Sequence, residues 1–361
     1  MYKGHNIYNV LFLLTLLLST STYAHDMNYK ALFEHKNILI TGGTGFIGRA
    51  LITEILKHSP NSVIIFSRDE VKHYKVLEQF NDKRLKSILG DIRDYTAILN
   101  ATKNVDLVIH AAALKRLDIL EYNISECIYT DALGSLNVAR ACIENNVPKA
   151  LLVSSDKACM PVNAYGACKF LSEKTFSNYL SDKPSTCFVT VRYGNVLEST
   201  GSIIPFFCER IKNDQSVPLT HPEMTRFFIA KEQAVELICK ALTYGQGGEI
   251  FVPCLPAFKI ADLIAVLQQK IGKNNGITIM GLRPGEKFHE LMINTTEVPK
   301  TYKFKDLYVI TPSVNNIHAD AAYIQAGQKL NITDLIEYSS RDSVMSQNDL
   351  SELLDEYHIT L

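Results

Sequence analysis

From residue 37 onward, short runs of β-branched and apolar residues alternate with longer stretches of helical length. Asn37–Thr41, Val63–Ser67, Ser87–Gly90, Leu107–Ala111, Ala150–Ser154 and Phe188–Arg192 read as strands, with segments such as "RALITEIL" between them as helices. That alternation predicts an α/β fold built on a doubly wound parallel sheet. No repeat or low-complexity tract interrupts it. Beyond Asn195 the pattern loosens, and Pro205, Pro218, Pro222, Pro253, Pro256 and Pro284 punctuate shorter elements. Residues 27–195 therefore form the expected nucleotide-binding Rossmann domain. Residues 196–361 form mainly a smaller substrate-binding domain at the sheet's carboxyl edge, with Phe251-Val252 expected to return to the sheet.

The first 26 residues stand apart. Lys3 precedes an apolar run from Val10 to Leu18 and then "STSTYA", the layout of a secretory leader ending at Ala24. The run is too short to span a bilayer. Met27 opens "MNYKALFEHKNILITGG", which is also a natural start for a cytosolic nucleotide-binding fold. The segment is thus either a leader or a mis-assigned start.

Composition narrows the class. A chain of 361 residues, 47% of them hydrophobic, has ample material for a large core. Lys plus Arg number 37 against 38 Asp plus Glu, so there is no basic excess for nucleic acid or for an anionic membrane. The eight cysteines are dispersed, without a CxxC pair or a zinc-like spacing with histidine. They read as reduced, mostly buried thiols; no metal is expected, and a cytoplasmic mature protein is favoured.

"NILITGGTGFIG" places Gly42, Gly45 and Gly48 after a strand and before a helix. Gly42 allows the tight turn, Gly45 lets the backbone approach a pyrophosphate, and Gly48 lets helix and strand pack closely. Thr44, Phe46 and Ile47 complete the loop, and Ile92, Ala111, Lys115, Tyr165 and Lys169 are further candidate cofactor contacts. The second strand ends in "SRDE". Ser67 and Arg68 offer a donor and a cation suited to a 2′-phosphate, so NADP is expected ahead of NAD. The bland reading of Arg68 is a surface pair with Asp69 or Glu70. Asp91, in "GDIRD", is placed to accept from an adenine amine or to cap the helix beginning near Asp94.

"SSDKACMPVNAYGACK" gathers an acid, two lysines and a tyrosine into sixteen residues. Tyr165 and Lys169 are four apart, so a helix starting at Ala164 puts them on one face. An ammonium there is expected to lower the phenol's pKa, giving a base for alcohol oxidation, with Ser155 bonding the same hydroxyl. Asp156 and Lys157 are surplus to that chemistry. They imply a second proton transfer, naturally an elimination next to a newly formed ketone. The competing reading is a surface salt bridge.

With these residues in view, the chain resembles the extended short-chain dehydrogenases. "SRDE", "GDIRD", "HAAALK", "SSDKA", "NAYGACK", "VRYGNV", "IPFF", "MTRFF", "GGEIFVP" and "RPGEK" are together similar to the inverting UDP-N-acetylglucosamine 4,6-dehydratases, from about Asn37 to "LIEYSSRDS". The resemblance implies that Tyr165, held by Lys169, takes the C4 hydroxyl proton. It further implies that Lys157 removes the C5 proton and Asp156 protonates the departing C6 hydroxyl, with inversion at C5. It makes UDP-N-acetylglucosamine or a similar UDP-hexosamine the expected substrate. Asn195, Lys115, Arg226, Arg283 and Lys287 are then its candidate contacts, against a reading of these cations as ordinary loop residues. The resemblance also implies a homo-oligomer, with the hexamer of related dehydratases as the pattern.

Departures from the family pattern are Ser155 for Thr, Asp131 for Asn, Arg116-Leu117 in "ALKRL", and Glu198 and Thr200 in "VLESTGS". The last two sets bear on the identity of the sugar. The rival enzyme is a UDP-sugar 4-epimerase, which has no use for Asp156 and Lys157. The rival outside enzymes is a non-catalytic NADP-sensing scaffold, against which stands the presence of both Tyr165 and Lys169.

Overall fold

The computed structural model describes residues 29–178, 186–197, 199, 202–312, 319–357 and 359. The leader-like segment 1–26, Glu198 and Thr200 lie outside these residues. The six expected strands form with ends displaced by at most two residues: β1 (Asn37–Thr41), β2 (Ser62–Ser67), β3 (Leu85–Leu89), β4 (Leu107–His110), β5 (Lys149–Val153) and β6 (Cys187–Val191). They pair in parallel in the order β3-β2-β1-β4-β5-β6. The chain direction of winding reverses between β1 and β4, so the loops leaving their carboxyl ends diverge and open a crevice there.

Both faces of this sheet are covered, which is why its strands are apolar runs. Along β1 the side chains divide as a pleated strand requires: Ile38 and Ile40 join one core with Leu51, Ile52 and Ile55 of the Phe46–Leu56 helix. Leu39 points the other way, into a core with Phe66, Val138 and Phe176.

The carboxyl-terminal half supplies β7 (Asn195–Val196), β8 (Val217–Leu219), β9 (Thr225–Ile229), β10 (Ile250–Pro253), β11 (Ala257–Lys259), β12 (Ile277–Ile279), β13 (Leu291–Ile293), β14 (Thr301–Phe304), β15 (Leu307–Ile310), β16 (Gln328–Lys329) and β17 (Tyr338–Ser339). Phe251 and Val252 do return to the main sheet, as β10 parallel to β6. β15, β14 and β16 then extend that edge in antiparallel pairing, giving ten strands. The rest builds small sheets, β11-β9-β7, β12-β8 and β13-β17, with a core of its own around Phe207, Phe228, Leu263, Leu267 and Leu350. This region sits over the carboxyl ends of β5 and β6, where the polar residues of "SSDKA" emerge.

Candidate active site

The glycine loop has the geometry its sequence requires. Gly42 adopts φ +70, and a Cβ there would meet the backbone of Ala112 at 2.8 Å. At Gly48 a Cβ would meet the carbonyl oxygens of Gly43 and Gly42 at 2.5 and 2.6 Å, so helix and turn touch backbone to backbone. Gly45 caps the Phe46–Leu56 helix in extended conformation, and a Cβ there meets only the Gly42 carbonyl, at 3.1 Å. The outer side of Gly45 is therefore open to an anion at the helix N-terminus. The Ala111 N–H bonds Thr41 at the end of β1, and Ile92 packs under Gly134 in the core. The exposed Lys115 follows from β4.

At the end of β2 the arrangement departs from the simplest expectation. Ser67 Oγ lies 3.0 Å from Thr44 Oγ1 and 2.7 Å from His73 Nε2, and His73 reaches Ser87, so this hydroxyl belongs to an internal chain. Arg68 does not pair with Asp69 or Glu70; its guanidinium lies 3.5 Å from Asp91. Asp91 accepts from the Arg93 backbone and guanidinium, while Asp94 caps the Tyr95–Ala101 helix itself. Burial pushes the Asp91 carboxyl up, but the Arg93 hydrogen bonds and the two guanidinium charges hold it below the usual range. The reading of Asp91 as that helix's cap is thus corrected: Asp94, one residue before the first helical position, has the geometry for it.

Four of the candidate groups, Asp156, Lys157, Tyr165 and Lys169, lie close together. Just past β5, Asp156–Ala158 forms a single 3-10 turn, and Ala164 opens the helix that carries Tyr165 and Lys169 to Asn178. Asn163 bonds the Gly166 N–H and also reaches the Gly285 carbonyl, tying this helix start to the loop that carries Arg283 and Lys287. Ser155 Oγ donates to Asp156 Oδ1 at 2.9 Å. Lys157 Nζ donates to the same oxygen at 3.1 Å and to Asn195 Oδ1 at 3.3 Å. Asp156 is fully buried, so the pair is not a surface salt bridge. Asp156 Oδ2 has no hydrogen-bond partner among the described residues.

Burial raises the Asp156 carboxyl, against the pull of Lys157 and with a further push from Glu290. Burial draws the Lys157 ammonium down, and Asp156 and Glu290 together outweigh it, leaving it raised. Lys169 donates to the Val153 carbonyl at 2.9 Å, and burial lowers it. Tyr165 differs from expectation: its phenol is raised, first by burial and then by the charge of Asp131, with the Ser155 hydrogen bond opposing. The reason is that Lys169 directs its ammonium to a carbonyl and shares its field with Asp131, so the phenol receives little of it.

The candidate substrate contacts lie unequally. Arg226 is buried on β9; it donates to the Thr225 and Phe288 carbonyls and faces Glu290 at 3.8 Å. Lys287 donates to the Cys159 carbonyl and lies 3.7 Å from Glu290. Arg283 is exposed and reaches Glu286 only at 4.0 Å.

Comparison with known proteins agrees with this architecture. A model of the polysaccharide biosynthesis protein family matches residues 38–312. The chain belongs to this family. A relative from Campylobacter jejuni named UDP-N-acetylglucosamine 4,6-dehydratase (inverting) is 40% identical over 335 residues, covering 90% of this chain and 98% of its own. A Rickettsia bellii relative named UDP-glucose 4-epimerase is 36% identical over 330 residues, covering 90% and 96%. The X-ray structure of Pen from Bacillus thuringiensis superposes with a TM-score of 0.84 at 33% identity, covering 91% of this chain and 99% of that one. DesIV from Streptomyces venezuelae, a dTDP-glucose 4,6-dehydratase solved with NAD, shares the fold at TM-score 0.64, 20% identity and 70% and 86% coverage.

In this family member the sequence pattern passed over two buried groups. Glu290 lies three residues beyond "RPGEK" and touches the cations Lys157, Lys287 and Arg226. Its only sequence signal was a Lys-Glu pair at helical spacing. Arg192, in "VRYGNV", is almost fully buried between Glu173 and Glu297. Nothing local marks it as paired, because Glu297 is 105 positions away.

Proposed function

We propose that this chain is an NADP-dependent 4,6-dehydratase acting on UDP-N-acetylglucosamine, with inversion at C5, a lyase of glycan biosynthesis. The observation that carries the reading is the buried Asp156–Lys157 pair standing beside the Tyr165–Lys169 dyad, where an epimerase needs the dyad alone. The open Gly45 cradle and the Arg68 guanidinium beside Asp91 suit a phosphorylated dinucleotide. Bound there, NADP⁺ supplies a hydride acceptor for C4 and later a donor for C6.

The chain's own groups handle the protons. Tyr165, hydrogen-bonded through Ser155, takes the proton of the C4 hydroxyl as that carbon is oxidised. The resulting ketone makes the C5 proton acidic. Lys157 as a neutral amine removes it, the C–H electron pair forms the C5=C6 double bond, and the C6–O bond breaks. Asp156 gives its proton to the departing hydroxyl, which leaves as water. A proton returned to C5 from the opposite face inverts that centre. Asn195, within hydrogen-bond reach of Lys157, orients the amine.

The test is incubation of purified protein with UDP-N-acetylglucosamine and NADP⁺, followed by mass and NMR analysis. A 4-keto-6-deoxy product inverted at C5 is expected, and formation of UDP-N-acetylgalactosamine in its place would establish the epimerase reading favoured by the Rickettsia names. Tyr165→Phe and Lys157→Ala should each lower the rate by about 10²- to 10⁴-fold.

Self-association is part of the same reading. Ile124, Ile128, Tyr129 and Leu133 leave large apolar side chains exposed on helices beside the sheet, as does Leu171 on the Ala164–Asn178 helix. The eight cysteines are all free, six of them buried, which suits a reducing, cytoplasmic setting.

A further inference from the structure

Glu290 is contributed from just before β13, far in sequence from the catalytic stretch, yet it is only 2% exposed and lies against the site. Its Oε1 is 3.4 Å from Lys157 Nζ and 3.8 Å from Arg226 Nε, and its Oε2 is 3.7 Å from Lys287 Nζ. Its backbone is pinned on both sides to Ser340: Glu290 N–H donates to the Ser340 hydroxyl and the Ser340 N–H donates to the Glu290 carbonyl, both at 2.9 Å. Oε2 has no hydrogen-bond partner among the described residues, and neither has Asp156 Oδ2. A buried carboxylate held so firmly and bonded so sparingly is costly unless its charge is used.

We propose that Glu290 is a positioning residue that pairs with Lys157 alongside Asp156 and sets the protonation of the Asp156–Lys157 pair. This rests on the dehydratase reading. Elimination needs one proton on the pair, on Asp156, with Lys157 neutral. A second proton blocks the base and a missing proton blocks the acid, so the rate is bell-shaped in pH and both limbs belong to the pair. The groups facing the pair are Ser155 and Asn195, which are neutral, the Tyr165 phenol from the Ala164–Asn178 helix, Glu290 from just before β13, and Arg226 from β9. Lys287 faces Glu290 in turn. Glu290 is the one anion among them; burial pushes its own carboxyl up, and Lys157, Arg226 and Lys287 bring it below the ordinary range, so it is ionised across the working pH. Its charge favours every protonated state of the pair and offsets Arg226, which disfavours them.

The sign follows. Removing the anion makes each proton easier to lose, so both limbs move toward acid. In the full-length protein with NADP⁺ and saturating UDP-N-acetylglucosamine, Glu290→Gln should shift both limbs of the product-formation profile down by about one pH unit or more. Glu290→Asp keeps the charge but withdraws it by a methylene, and should shift them the same way by less. The early transient of reduced nicotinamide absorbance, which reports C4 oxidation by Tyr165, should shift by less than product formation in both variants, because Tyr165 feels Glu290 only by way of Asp156. Thermal unfolding monitors folding. Limbs unmoved in folded Glu290→Gln overturn the proposal, as do unmoved limbs in Glu290→Asp should the Gln variant not fold. A parent enzyme that forms no 4-keto-6-deoxy product defeats the dehydratase reading instead, whatever the variants do.

Discussion

Asp131 shows how much one atom can matter in a closed site. It occupies the position where the family pattern has Asn, in the π-helical turn Ile128–Leu133, and it is 1% exposed. One carboxylate oxygen accepts the Leu114 N–H at 2.8 Å, anchoring the loop that leads to Lys115; the other faces the Cys127 thiol at 3.9 Å. An Asn would accept the same Leu114 bond without bringing a charge. Burial pushes the Asp131 carboxyl up to about 6, even with Lys169 pulling it back. Since its folded pKa exceeds the unfolded value of about 4, the native state binds more protons between the two, and stability falls as pH rises through that window. Asp131→Asn escapes this loss. The unfolding free energy of the variant relative to the parent should therefore climb between pH about 4 and about 6. It should level off on the order of 2 kcal/mol above its acid value, read from urea melts at each pH. A difference independent of pH would mean that Asp131 does not titrate there. Burial is the main cause that raises the Tyr165 phenol and the same carboxylate adds to it, so the residue that departs from the family pattern also works against the simple expectation of a phenol acidified by Lys169.

Among the elements, the glycine loop separates two roles that sequence alone had joined. Gly48 has no room: its Cβ would sit 2.5 Å from a backbone oxygen, and neither the strand end nor the helix can yield. Gly48→Ala should lower stability by about 1–3 kcal/mol in thermal or urea unfolding. Gly45 is less crowded, its Cβ meeting only the Gly42 carbonyl oxygen at 3.1 Å, so Gly45→Ala should cost less stability than Gly48→Ala while, on the proposed reading, weakening NADP affinity tenfold or more in titration calorimetry. Equal losses of stability in the two would contradict this division. The loop and the six parallel strands were legible because each is specified within a few residues: an apolar run covered on both faces, then glycines at fixed offsets. β14, β15 and β16 were not read out. β14 and β16 are short and carry polar residues such as Lys303 and Gln328, β15 is a buried run of only four residues, and all three owe their place to pairing across the edge beyond β10. The candidate site divides in the same way. Asp156, Lys157, Tyr165 and Lys169 fall within one turn and one helix, whereas Glu290 and Glu297 reach the site only through the folding of the second half.

Across the whole molecule, that folding is held by a buried ion cluster next to the reactive groups. Arg192, at the end of β6, forks onto both oxygens of Glu173 at 3.0 and 2.6 Å and both oxygens of Glu297 at 3.0 Å, and also donates to the Met292 carbonyl at 2.6 Å. Ser154 donates to Glu173, and Cys159 reaches Glu297 at 3.6 Å, so the strand end that presents Ser155 and Asp156 is tied directly to the segment following β13. A planar guanidinium satisfies all of these acceptors together, which a lysine cannot do. Removing one member of such a cluster costs more than the cluster is worth, because the others remain buried and unpaired. Arg192→Met should therefore destabilise the protein by about 3–5 kcal/mol in urea unfolding at neutral pH. The pH dependence carries the sharper test. Burial pushes Glu297 up, but Arg192 holds it below the ordinary range, so the parent's gain from this pairing is present above the unfolded carboxyl pKa and is lost as pH falls. The deficit of Arg192→Met should accordingly narrow on acidification, as Glu297 becomes neutral in the variant before it does in the parent. A deficit that stays constant from neutral pH to about 4 would assign the loss to packing of the side chain and not to its charge.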